Sequence, residues 1–133
     1  MKGTVTFAYD RANDVVVATP RWHLETEADV LACYRRYESY LKIFTRKMDL
    51  IVVLDDFTIS PTIGVVWGEY RARLYKHYTR FTYRVRSNGR VKLFVNASGV
   101  QHEVATEEAT TVEDAIEEIA AARRTTNVAK WPR

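Results

Sequence analysis

The sequence predicts a single α/β domain: a mixed sheet with an N-terminal antiparallel hairpin, then parallel strands with helices packed on the sheet. Three observations predict it. Two short runs rich in β-branched and aromatic residues, TVTFAY at 4–9 and VVVAT at 15–19, stand close together near the N-terminus. The run Leu50–Leu54 (LIVVL) is continuously apolar, the pattern of a strand covered on both faces. Apolar stripes at three- and four-residue intervals separate the strand-like segments, and strands joined through helices pair in parallel by right-handed crossovers.

Each element has its own warrant. TVTFAY alternates and reads as a strand. Asp10–Asp14 (DRAND) supplies turn residues, and VVVAT closes a hairpin. Pro20 has no N–H and is expected to end that ladder. Thr26-Glu27-Ala28-Asp29 resembles a capping box, and Val30, Cys33, Tyr34, Tyr37, Leu41 and Phe44 follow on one stripe, giving a helix over roughly 27–44. LIVVL is the central strand. Ile63, Val66, Trp67, Tyr70, Leu74 and Tyr78 mark a second helix. Arg80–Arg86 (RFTYRVR) alternates strictly and reads as a strand with Phe81, Tyr83 and Val85 inward. Residues 87–100 fit a strand or a short helix closed by Gly99. Residues 101–106 could add a short strand. Thr111-Val112-Glu113-Asp114 caps a last helix whose early acids and late Arg123 and Arg124 suit the helix dipole. Residues 1–125 are expected to form the domain and 126–133 a flexible tail.

Composition narrows the function classes. The chain has 133 residues, enough for one core without staples. Its one cysteine, Cys33, allows no internal disulfide and suits a reducing, cytoplasmic setting. No secretory leader and no membrane span are read. The net charge is only +3, but it is polarised along the chain. Arg71 to Lys92 carries eight basic residues and no acidic ones, and Glu103 to Glu118 carries seven acidic residues and no basic ones.

The element order, with four stretches of sequence, resembles the SpoIIAA-like (STAS) fold, the anti-sigma-factor-antagonist fold. LIVVLDDFTIS is similar to that family's central strand and aspartate-containing loop. IGVVWGEYRARL is similar to its following helix. Ser87–Val100 is similar to its short third helix, and the resemblance therefore implies helix there. Thr111–Ile116 is similar to the start of its last helix. The resemblance implies a regulatory module that binds a protein partner at the loop Asp55–Thr62, through Asp55, Asp56, Thr58, Ser60 and Thr62. Family members carry Asp-Ser-Ser-Gly at the start of the second helix, and one serine accepts phosphate. Here Ile59-Ser60-Pro61-Thr62 stands in that place, with Pro61 where the acceptor would fall. The motif of a phosphoswitch is therefore missing, and Ser60 and Thr62 are the nearest hydroxyls that could take a phosphate.

Taken as residues alone, the same loop has three readings. Ser60-Pro61 makes a good N-cap and first-turn pair, and aspartates after a strand fold back on loop N–H groups. Asp55 and Asp56, with Glu69, could hold Mg²⁺, but adjacent side chains at a strand end diverge and no His or Cys supports them. A phosphate at Ser60 or Thr62 would suit a helix N-terminus but face two aspartates. The turn reading is taken, and neither metal nor cofactor is expected.

The basic run is interleaved with Tyr75, Tyr78, Phe81 and Tyr83, as single-stranded nucleic acid requires. Those aromatics also lie on inward stripes. Arg71, Arg73, Lys76, Arg84, Arg86 and Arg90 are therefore expected on a solvated or partner-facing basic surface, with nucleic acid the rival reading. A pocket for a small apolar or lipid ligand is a third. His23, His77 and His102 are scattered, and no triad or zinc spacing occurs. Cys33 belongs to a core stripe. Trp22 either covers the sheet edge or docks a partner. The expectation is a non-enzymatic domain whose partner is another protein, with a homo-oligomer compatible.

Overall fold

The computed structural model describes residues 3–86 and 107–130, the side chains of Glu107 and 126–130 excepted. The strands are β1 (Thr4–Asp10), β2 (Val15–Leu24), β3 (Met48–Val53), β4 (Phe57–Ile59), β5 (Thr79–Val85) and β6 (Glu107–Ala109). The helices are α1 (Glu27–Leu41), α2 (Gly64–Tyr78), entered through a 3₁₀ turn at Pro61–Ile63, and α3 (Val112–Lys130). The sheet runs β1-β2-β3-β5-β6, with β4 beside β2. Among the described residues only β1–β2 is antiparallel; the other pairs are parallel.

The hairpin closes through a four-residue turn in which the Asp10 carboxylate accepts from the Asn13 amide N–H and side chain at 3.1 and 2.9 Å. Asp14 takes a φ of 55°, a left-handed conformation that Asp tolerates better than most residues. The Thr26 box forms as read. Thr26 Oγ1 accepts from Asp29 N at 3.2 Å, and the Asp29 carboxylate accepts from the N–H groups of Thr26 and Glu25. α1 ends at Leu41, three residues before Phe44, which still packs on the core.

The apolar run lands in the middle of the sheet. β3 has β2 on one side and β5 on the other, and Leu50, Ile51 and Val52 are buried. Its alternation splits the core. Leu50 and Val52 join Val16, Cys33, Tyr37, Trp67 and Leu74 under α1 and α2. Ile51 joins Val15, Tyr83, Val85, Ala115 and Ile119 under α3. Full burial of each such side chain is worth about 1.5–3 kcal/mol, so both layers are held mainly by apolar burial.

Two sequence expectations are corrected here. Pro20 does not end β2, which runs on to Leu24. Val15–Ala18 pair with β3 and Trp22–Leu24 with β4, so Pro20 falls in the gap between two partners, where no parallel neighbour needs its missing N–H. The segment after Asp56 is not simply loop. Phe57 and Ile59 turn inward, Thr58 outward, and the three pair with Trp22–Leu24 as β4.

Trp22 proves to be a core residue, 7% exposed, with its ring against the Gly3 backbone. A Cβ at Gly3 would lie 2.2 Å from the ring, so this close approach requires glycine. The backbone of the expected tail is helical as far as Lys130. The helix expected over 87–100 and the strand expected over 101–106 lie outside the described residues, as do His102 and 131–133.

Candidate functional site

In parallel sheets the carboxyl ends of the strands are where ligands and partners meet the fold. At that end β3 gives way to a turn at Asp55–Asp56, closed by Phe57 N–H donating to Leu54 O at 3.2 Å. The chain then regains β2 as β4. Backbone bonds from Trp22 N to Asp56 O and from Ser60 N to Leu24 O lash both ends of the segment to β2, at 3.2 and 2.8 Å. The result is a short ridge with a rigid base.

Most of the predicted loop residues do come together on it. Asp55, Asp56, Thr58 and Thr62 are exposed, and Ser60 is half-buried. Asp56 does not fold back on loop N–H groups; its carboxylate meets Arg21 at 3.4 Å, with both side chains more than half exposed. Thr58 Oγ1 lies 2.7 Å from His23 Nδ1 across the β2–β4 pair. Ser60 takes the N-cap position before Pro61, yet its side chain makes no capping bond. Its hydroxyl instead lies 3.1 Å from that of Thr62. Among the described residues, no three His, Cys, Asp or Glu side chains gather as a metal set.

The expected basic surface is largely internal. Arg73 and Lys76 are exposed, but Arg71, Arg84 and Arg86 are 1%, 5% and 9% exposed. Arg90 lies outside the described residues. The alternation of β5 was right and its environment was not. Tyr83 and Val85 face α3, while the opposite face, carrying Thr82 and Arg84, lies under α2 instead of water. Arg71 sits at the centre of the buried face of α2, between Trp67 and Leu74–Tyr75.

Arg71 and Arg84 meet across a small cavity beneath the ridge, walled by Tyr37 of α1, Trp67 and Tyr75 of α2, and Phe57 of β4. Arg71 stands over the Tyr75 ring at 5.8 Å. Burial lowers the pKa of both guanidinium groups, and Arg71 lowers that of Arg84 further by like charge. Burial raises the Tyr75 phenol and holds that of Tyr37 well above its ordinary value, so both stay neutral. Arg84 and Arg86 share the Glu108 carboxylate, the Arg84 contact being 3.4 Å.

A second charged cluster escaped the sequence reading. At the amino end of β3, Asp49 is 2% exposed. Its carboxylate accepts from Arg80 Nε and Nη2 at 3.1 and 2.9 Å, from the Phe81 N–H at 3.1 Å and from Arg123 Nε at 2.7 Å. Arg123 also donates to the carbonyls of Asn13 and Asp14. One carboxylate thus ties β3, β5, the hairpin turn and α3 together. The available signal was an acid one residue before a central apolar run, where burial demands a partner. For Arg71 it was a cation at an i, i+4 position of the stripe Ile63, Trp67, Arg71, Tyr75.

No described helix is long and apolar enough to cross a membrane. Neither a protein-family model nor a curated protein matches the chain.

Proposed function

We propose that the chain is a non-enzymatic regulatory module of the STAS type that binds a protein partner through the ridge Asp55–Thr62. The observation that carries this reading is the construction of the ridge. Its backbone is bonded to β2 at both ends, while its carboxylates and hydroxyls face outward. A rigid base with exposed polar groups suits recognition, since little ordering entropy is lost on binding. Val65, 49% exposed in the first turn of α2, adds an apolar contact beside it.

A mixed sheet with an N-terminal hairpin and LIVVL at its centre is compatible with the STAS type. The non-enzymatic reading is supported by reactive side chains that do not converge among the described residues. Cys33 is fully buried, its thiol pushed up to about 12 by desolvation, and His23 and His77 stand on different elements. Nucleic acid is less favoured, because the arginines that would meet phosphates are largely internal.

The test replaces Asp56 by Lys and Thr62 by Glu in one folded variant. Partners captured by the unmodified chain should be lost from the variant. Identical partner sets would remove the ridge as the contact face.

A further inference from the structure

The surface at the amino end of the central strands joins an exposed apolar patch to a set of cations. α1 and α2 each carry the chain back from the carboxyl end of the sheet, so both helices finish at this end, beside the hairpin turn, where Val15 is in register with Asp49. The link from α1 to β3, residues 42–47, reads KIFTRK. Its Ile43 is 66% exposed, more than any other large apolar side chain among the described residues. Phe44 beside it is half-buried, with its ring 5.3 Å from that of Tyr9, which is 36% exposed. Two of the three large apolar side chains that stand exposed among the described residues thus adjoin Phe44. A lone exposed apolar residue is ordinary, but adjoining ones mark a contact surface.

The cations stand at the same end. Lys42, Arg46 and Lys47 lie on the link, Lys76 in the last turn of α2 and Arg80 near the start of β5, all exposed. The acids nearby are engaged elsewhere. Asp10 accepts from Asn13, Asp14 from Arg46, and Asp49 from Arg80 and Arg123. Glu38, one turn before Lys42, accepts from Tyr34 and Tyr78. Lys42, Lys47 and Lys76 meet no carboxylate among the described residues. The helix dipole favours Lys42 and Lys76 at helix ends, but it does not reach Lys47 and does not call for an isoleucine between lysines. An apolar side chain projecting among cations matches an anionic lipid surface, where it enters the acyl boundary while the cations stay with the headgroups. A second copy would set like charges against each other, and a nucleic acid offers an aliphatic side chain nothing to stack on. We propose that this end of the molecule docks on a membrane leaflet rich in anionic phospholipid, with Ile43 inserted and Lys42, Lys47 and Lys76 on the headgroups. Asp49, beneath, ties together the elements that present the face. The ridge lies at the opposite end of the sheet and faces away from the leaflet, so this inference does not depend on what the ridge contacts.

The experiment is co-sedimentation of the full chain with vesicles of phosphatidylcholine, alone or with about one-third phosphatidylserine, at about 0.1 M salt. The chain should pellet with the anionic vesicles and stay in solution with the neutral ones. Raising the salt to about 0.5 M should release it. A cation near the surface is worth about fivefold in partitioning, so Lys42→Gln with Lys47→Gln should weaken binding about 25-fold. Ile43→Ser should weaken it about tenfold and keep the salt dependence. These side chains are exposed, so the variants should fold. Asp56→Lys with Thr62→Glu, at the ridge, should leave vesicle binding unchanged. No binding to the anionic vesicles, or equal binding to the neutral ones, would overturn the proposal. Ile43→Ser binding as tightly as the unmodified chain would also overturn it, and a loss in the ridge variant would move the contact to the other end. A chain that bound a single-stranded oligonucleotide at the same salt and ignored the vesicles would give the face to nucleic acid.

Discussion

The two ends of the central strands treat buried charge in opposite ways. At the amino end, the Asp49 carboxylate accepts from two arginines and a backbone N–H, and Arg123 passes its remaining donors to hairpin carbonyls. At the carboxyl end, Arg84 is as deeply buried as a core valine, yet two of its nitrogens meet no protein acceptor. Both ends belong to one sheet, but α3 reaches the first and α1 and α2 cover the second. A buried charge whose bonds are complete within the protein acts as a tie between elements. One left with open donors against a cavity costs stability until something else answers it. The amino end is therefore a tie between elements, and the carboxyl end, which also carries the exposed ridge, is where we propose that a partner acts.

Substitutions can break or sharpen that contrast. Asp49→Ala should have the largest effect, a loss of about 2–3 kcal/mol in chemical denaturation. It frees the Phe81 N–H and removes the anchor of α3 on the hairpin. The loss stays below that of a fully buried pair because Arg80 is 47% exposed and can return to water. Arg123→Ala should lose less, about 1 kcal/mol, since Arg80 and Phe81 still satisfy Asp49. If Arg123→Ala proved as damaging as Asp49→Ala, the tie would run through the arginine and hairpin instead. Arg21→Ala, at the ridge, should change stability by less than about 0.5 kcal/mol, because its ion pair with Asp56 is solvated.

The smallest expected effect is a pH dependence at the amino end. Asp14 accepts from Arg46 and from Tyr9, each at 2.7 Å, and these bonds lower its pKa, the Arg46 contact most. A carboxylate depressed on folding contributes stability above its unfolded value, near 3.9, and loses it as pH falls through the folded value. Asp14→Asn should therefore lower stability at neutrality, flatten the acid limb below about pH 4, and converge with the unmodified chain once pH falls below the folded value. A loss of the same size at about pH 2 as at about pH 7 would show that the bonds, and not the charge, matter there.

Much of this fold was legible because its signals are local or continuous. The LIVVL run, the Thr26 box and the stripe of α1 each state their structure within a few residues. β4 was not legible. Its three residues follow two aspartates, and only pairing with the far half of β2 makes them a strand. That same pairing explains why Pro20 sits inside a strand. The ridge was found from sequence because Asp55 to Thr62 is polar punctuation between apolar segments. The cavity beneath it was missed because alternation in β5 shows which residues share a face and not whether that face is wet. Arg84 and Arg86 were assigned to solvent by their chemistry, and α2 covers the β5 face that carries Arg84. Asp49 was missed for a related reason, since a charge before a strand reads as loop until three elements are seen to converge on it.

The most direct measurement is the urea midpoint of Arg84→Met, set beside that of Asp49→Ala. Replacing a buried, incompletely answered guanidinium with an apolar side chain of similar length should leave the midpoint unchanged or raise it, with the slope unaltered. A fall as large as that of Asp49→Ala would show that Arg84 is a structural tie like its counterpart, and the distinction between the two ends would be lost.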